Sequence, residues 1–266
     1  MLKNANNRFQ FLTGFQRIDI LISSYCYEET GMNINSSIFG FWNPTENTLK
    51  RFQGLRDVLA KDHARLELVI CTLENEYIQS RCSLDVSELL LSDWQLNGGL
   101  GIAFFRPSPI FLPQYGVIPI YSTGHIAVAY LGDVFNIYEI REKLTSDWYQ
   151  FNSKNNVAET LCYLLNNYLE HGNLSPEDAM QKMMTKLEGR FTLMALVTKE
   201  KWLMVGCRDY PLVVGKNRCH PTVYIGTDAE TLVQFSPSMT SAFGNGKPVI
   251  FSGASQSDIL SPYFSV

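Results

Sequence analysis

The chain has 266 residues, 45% of them hydrophobic and 18% charged, which is the composition of an ordinary soluble globular protein with enough length for a sizeable core in one large domain or two small ones. The net charge is −4, and no long basic run occurs. Charge therefore argues against nucleic acid or an anionic membrane as a partner.

Residues 1–35 read as an N-terminal extension. They hold Asn-rich polar sequence, a strand-like run from Ile18 to Ile22 and a loop-like Glu28-Glu29-Thr30-Gly31. Asp19 interrupts the apolar run, which is far short of the roughly 20 residues needed to span a bilayer, so neither a signal peptide nor a membrane anchor is expected. Ser36 to Trp42 is aromatic and β-branched and predicts a buried strand. Asn43-Pro44-Thr45-Glu46 follows, with Asn at N-cap, Pro at the first helical position and Glu two positions on. That pattern predicts a helix start, and Leu49, Phe52, Leu55, Val58 and Leu59 supply its apolar face.

Arg65 to Leu73 predicts a second strand, with Leu66, Leu68 and Ile70 on its more apolar face. Ile102 to Phe105 and Ile126 to Leu131 read as core strands. Between them Pro107 to Pro119 carries four prolines, and proline removes a ladder donor, so a loop or edge is expected there. Asn156 to Glu159 resembles a capping box before an apolar face of Val157, Leu161, Leu164, Leu165 and Tyr168. Ser175-Pro176-Glu177-Asp178 starts another helix, with Ala179, Met183 and Leu187 turned inward. Strands are expected at Phe191–Val197, Trp202–Cys207, Pro211–Gly215 and Val223–Thr227. Strands, then paired helices, then strands argue for an α+β fold with layered sheets.

Six cysteines (Cys26, Cys71, Cys82, Cys162, Cys207, Cys219) are scattered without a C-x-x-C pair, as expected for reduced thiols in a cytoplasmic protein. His63, His125, His171 and His220 are widely spaced, and Cys219-His220 is a lone adjacent pair, so no metal set or catalytic triad is expected. Gly98-Gly99-Leu100-Gly101 lacks the phosphate-loop pattern and reads as a turn into a strand. Asp228 and Glu230 are a close carboxylate pair, read as strand-end residues rather than acid and base.

Several segments, in order, resemble the glutaminase domain of class II glutamine amidotransferases. Gly98 to Arg106 is similar to that family's Gly-Gly-x-Gly-Ile-Ala-His-Thr-Arg strand. Tyr130-Leu131-Gly132 stands where the family has His-Asn-Gly, and Gly132 to Leu144 resembles the turn and helix that follow. Phe151-x-Ser153 resembles Phe-x-Ser-x-Thr-Asp, and Leu187-Glu188-Gly189-Arg190-Phe191 resembles Leu-x-Gly-x-Phe/Tyr. Arg208-x-x-Pro211-Leu212-Val213-Val214-Gly215 and Gly226-Thr227-Asp228-Ala229-Glu230 resemble two later motifs. The layout is similar to the glutaminase domains of glucosamine-6-phosphate synthase and amidophosphoribosyltransferase. It covers roughly residues 34–252 and divides the chain into an extension (1–35), an amidotransferase-like domain (36–255) and a tail (256–266). The resemblance implies the N-terminal-nucleophile hydrolase fold, an α+β four-layer αββα sandwich, and no cofactor.

The resemblance also assigns roles. Ser36 takes the nucleophile position, where the family has cysteine at a freed N-terminus whose α-amine is the base. Ser36 meets that requirement only if the chain is cut after Asn35; otherwise its nitrogen is an amide and the serine is a small polar residue at a strand start. Leu131 takes the place of the asparagine side chain in the oxyanion hole, while Gly132 keeps a backbone N–H. Arg106 matches the arginine that holds the substrate carboxylate, with a structural ion pair as its other reading. Asn156 stands at or within one residue of the acidic group that binds the substrate amine, and an amide cannot supply that charge.

Concerted changes at Ser36, Leu131 and Asn156 predict a catalytically degenerate amidotransferase-like protein, a pseudoenzyme. It would bind a small carboxylate or glutamine-like ligand at Arg106, a protein partner, or a second copy of itself. The alternatives are an amide hydrolase using Ser36 after removal of residues 1–35, and a glutaminase subunit supplying ammonia to a separate synthase chain. In that last case the acceptor domain would sit elsewhere, because little chain follows residue 255.

Overall fold

Six consecutive buried residues, Ser37–Trp42, make strand β1, an aromatic and β-branched segment that can be buried on both faces only in the middle of a sheet. A computed structural model describes residues 36–42, 54, 66–74, 76–83, 99–107, 120–153, 156–199, 201–210, 212–216, 222–229, 232, 240–242 and 248–252. β1 pairs antiparallel with β4 (Leu100–Pro107) on one side and β10 (Val223–Gly226) on the other. β2 (Leu66–Glu74) and β3 (Tyr77–Ser83) extend the sheet beyond β4. β9 (Val213–Lys216) and β11 (Thr240–Ala242) extend it beyond β10, giving the order β11-β9-β10-β1-β4-β2-β3. A second antiparallel sheet has the order β12-β8-β7-β6-β5, from β5 (Ile120–Ser122), β6 (Ile126–Val134), β7 (Gly189–Val197), β8 (Trp202–Arg208) and β12 (Val249–Ser252).

The core between the sheets is built by alternation. Ile38 and Trp42 of β1, Ile102 and Phe104 of β4, Ala127 and Ala129 of β6, and Met194 and Leu196 of β7 share one buried cluster. On its other face the five-stranded sheet packs against helices, and Val128, Leu193, Ala195 and Met204 belong to that second cluster. The helices are α1 (Ile137–Ser146), α2 (Val157–Asn166), continued by a π-helical turn over Asn167–His171, and α3 (Pro176–Lys186). Ser175 caps α3 by accepting from the Asp178 N–H at 3.1 Å, and Pro176 opens the helix as the sequence predicts.

Three polar anchors brace this helical layer. Buried Asn136 donates from Nδ2 to the Lys186 carbonyl at 2.9 Å and accepts from the Glu188 N–H at 3.0 Å, joining the start of α1 to the α3–β7 connection. The Arg208 guanidinium donates to the carbonyls of Met184 and Leu187 at the end of α3, where the helix dipole favours a cation, and lies over the Phe191 ring at 5.4 Å. Glu159 is fully buried and accepts from the N–H groups of Asn152 at 2.7 Å and Ser153 at 3.1 Å. The capping box expected at Asn156–Glu159 is therefore half made. Asn156 accepts from the Glu159 N–H at 3.1 Å, but the Glu159 carboxylate turns to the preceding loop.

In β2, Val69, Cys71 and Leu73 join the core between the sheets, and Ile70 is buried on the opposite face. Both faces of this inner strand are buried, so composition does not distinguish them. Strands β3, β5, β11 and β12 were not anticipated, since each is short or polar. The extension, the helix predicted after Asn43, the proline-rich segment beyond Pro107 and the tail lie outside the described residues.

Candidate functional site between the sheets

Strand directions place several predicted residues at one end of the sandwich. β1 begins, and β4 and β10 end, at the same edge of the larger sheet, because Ser37 pairs with Phe105 and Phe39 with Gly226. In the smaller sheet Val134 pairs with Gly189 and Phe191 with Arg208, so β6 and β8 end where β7 begins. Only a short link separates Arg208, the last residue of β8, from Val213, the first of β9, so it joins the two edges at one mouth.

Alternation then decides which side chains face the gap. Arg106 shares the face of Ile102 and Phe104, and its guanidinium lies 5.8 Å from the Phe104 ring centroid. Ser36, half-buried, precedes Ser37 and extends the register to a position opposite Arg106. On β6, Leu131 packs against the core between the sheets, continuing the row of Ala127 and Ala129. Asp133 is next in that row, and its register partner is Arg190. Thr192 follows Arg190 on the same face of β7 and is fully buried. The structure thus brings Ser36, Arg106 and Leu131 to one mouth. Sequence reading missed Asp133, Arg190 and Thr192, which only the β6–β7 register reveals.

Gly132 lies between Leu131 and Asp133 with φ +107°, a conformation that favours glycine. A Cβ there would stand 2.2 Å from the Arg190 carbonyl oxygen and 3.0 Å from Cδ2 of Tyr210. Tyr210 belongs to the link joining the sheets, and its ring lies beside Gly132. Burial pushes the Tyr210 hydroxyl above its ordinary range; Asp133 pushes the same way and Arg190 opposes it. The hydroxyl is thus a neutral donor at physiological pH. Tyr130, at the family's histidine position, points to the helical side, and burial followed by Asp133 raises it to about 12.

Asn156 has a different setting. It caps α2, which packs on β5 and β6 from the helical side, and its side-chain oxygen is engaged by the Glu159 N–H. Cys71, Cys162 and Cys207 are buried, and burial raises the thiols of Cys162 and Cys207, which makes both poor nucleophiles. Among the described residues no group of three or more His, Cys, Asp or Glu is placed to hold a metal ion. His125 stacks against Tyr77 at 5.7 Å and meets Thr198 Oγ1 at 3.4 Å, away from the mouth.

Comparison with known proteins agrees with this geometry. Residues 108–234 match the family described as a glutamine amidotransferase domain. A glutamine–fructose-6-phosphate aminotransferase (isomerizing) of Bradyrhizobium diazoefficiens is 33% identical over 145 residues, 54% of this chain and 23% of the relative. The Zymomonas mobilis protein of the same name is 27% identical over 207 residues, 76% of this chain and 33% of the relative. The chain therefore spans a quarter to a third of the length of these curated relatives. Among solved structures, the glutamine phosphoribosylpyrophosphate amidotransferase of B. subtilis, complexed with ADP and GMP, superposes with a TM-score of 0.63 at 14% identity, over 81% of this chain and 47% of that one. Residues 108–234 thus match a glutamine amidotransferase domain, and the fold is an α+β sandwich like that of the superposed amidotransferase, with two facing antiparallel sheets and, among the described residues, helices on the smaller sheet.

Among the described residues, no helix is long and apolar enough to cross a membrane.

Proposed function

We propose that this domain has lost glutamine hydrolysis and acts as a binding module, taking a small carboxylate-bearing ligand at Arg106. The observation that carries the reading is Leu131. At the position of the oxyanion donor stands an apolar side chain packed into the core between the sheets. Loss of one such donor costs about 10²–10³ in turnover. Asn156 supports the reading, since its side-chain oxygen is occupied as a helix cap and carries no charge for a substrate amine. The scattered cysteines, without a C-x-x-C pair, support a reducing compartment such as the cytoplasm.

Ser36 decides between this reading and the next. With residues 1–35 attached, the Ser36 nitrogen is an amide and has no basic lone pair to activate the hydroxyl. The intact mass of the mature protein tests this. A chain retaining residues 1–35 agrees with the binding module; a chain beginning at Ser36 overturns it.

One observation favours the second reading, an amide hydrolase with Ser36 as nucleophile. Ser36 stands at the start of β1 opposite Arg106, where such a nucleophile would meet a held carboxylate. This reading requires the free Ser36 terminus that the mass measurement would reveal.

A further inference from the structure

The gap between the sheets holds charges that the family resemblance does not assign. Arg106 faces the gap from β4 and Arg190 faces it from β7, and these two strands stack on one another across the sandwich. Both arginines lie at the same end of their strands, which are about 10 Å apart as facing sheets are. Side chains entering from opposite sides can touch one small molecule. Asp133, the register partner of Arg190, adds a carboxylate at the rim, and Tyr210 adds a phenol beside Gly132.

The Asp133–Arg190 contact is a weak competitor for a ligand. Its closest approach is 4.0 Å, and the two side chains are 64% and 68% exposed. Such a pair is screened by water and exchanges readily. Arg190 can therefore turn to an anion in the gap, leaving Asp133 for a cationic group.

We propose that the mouth binds a small dicarboxylate, with one carboxylate on Arg106 and the other on Arg190, and that Asp133 favours an acidic amino acid through its ammonium group. This rests on the reading of Arg106 as a ligand-binding residue. Two guanidinium groups match two carboxylates bidentately, and the neutral amide of glutamine cannot replace the second. The group that would have oriented that amide's reaction is also absent, because Leu131 has no donor.

Calorimetric titration of the full chain with glutarate, L-glutamate and L-glutamine tests the proposal. Glutarate and glutamate are expected to bind about tenfold more tightly than glutamine, the scale of one charge-assisted contact. Arg190→Gln should erase that preference, and Asp133→Asn should weaken glutamate relative to glutarate. Arg106→Gln should weaken all three. Arg190 is exposed, so its variant is expected to fold; equal melting temperatures confirm that the binding change is local. Glutamine binding as tightly as glutarate, or a preference unchanged in Arg190→Gln, overturns the dicarboxylate site while leaving Arg106 as a ligand residue. No binding by any of the three overturns both readings.

Discussion

The two faces of the five-stranded sheet have different designs. Toward the helices, Asn136 makes two backbone contacts, Arg208 caps α3, and Glu159 holds two N–H groups of one loop. Toward the other sheet, the end at Leu131 carries an apolar side chain packed on the core and an exposed, loosely paired Asp133 and Arg190. The framework is held where residues pack, and the proposed loss of chemistry falls on the opposite face. Fold and reaction are separable because different residues on opposite faces of one strand determine them.

Substitutions can break this contrast, and the largest effect is expected at the boundary. Gly132→Ala would force a Cβ to within 2.2 Å of the Arg190 carbonyl at a φ of +107°. We expect a loss of about 4 kcal/mol or more in denaturant titration, because backbone on both strands must move. On the helical face, Glu159→Ala should cost about 2–3 kcal/mol, leaving the Asn152 and Ser153 N–H groups without their acceptor. Asn156→Ala should cost about 1 kcal/mol by removing a helix cap. If Asn156 instead serves a ligand, this variant would change ligand affinity as well as stability. At the mouth, Arg190→Gln should alter stability by no more than about 0.5 kcal/mol, since the side chain is exposed and its ion pair long. A large loss there would erase the distinction between the two faces.

A pH titration sharpens the same contrast. Burial raises Tyr130 from its ordinary value of 10.0 to about 12, and raises Tyr121 as well. Below pH 10 both tyrosines are neutral in the folded and unfolded chains, and their contribution is fully present. Above pH 10 the unfolded chain loses these protons first, so stability should fall as pH rises from 10 toward 12. Tyr130→Phe should flatten that fall, as read by denaturant midpoints across the alkaline range.

Much of the framework was legible because local signals agreed with burial. Ser175-Pro176 opened α3, Asn156 capped α2, and the apolar runs at β1, β4, β6 and β7 became strands. Strand β3 was not legible, because Tyr77-Ile78-Gln79-Ser80-Arg81 alternates with no strong apolar face and pairs on one side with β2. Which face of β2 meets the other sheet was not legible, because Val69 and Ile70 are equally apolar and both buried. Motif order singled out Ser36, Leu131 and Arg106, which the fold brings to one end of the sandwich. Asp133 and Arg190 could not be found that way, since they lie far apart in the chain and become neighbours only through the β6–β7 register. Glu159 was seen as a cap residue, but its carboxylate is used by a loop that no spacing rule points to.

Ammonia release from glutamine by the full-length chain tests the central claim most directly. The account predicts no release above the buffer background, with Ser36→Ala indistinguishable from the unsubstituted protein. Release by the full-length chain that Ser36→Ala abolishes would contradict it.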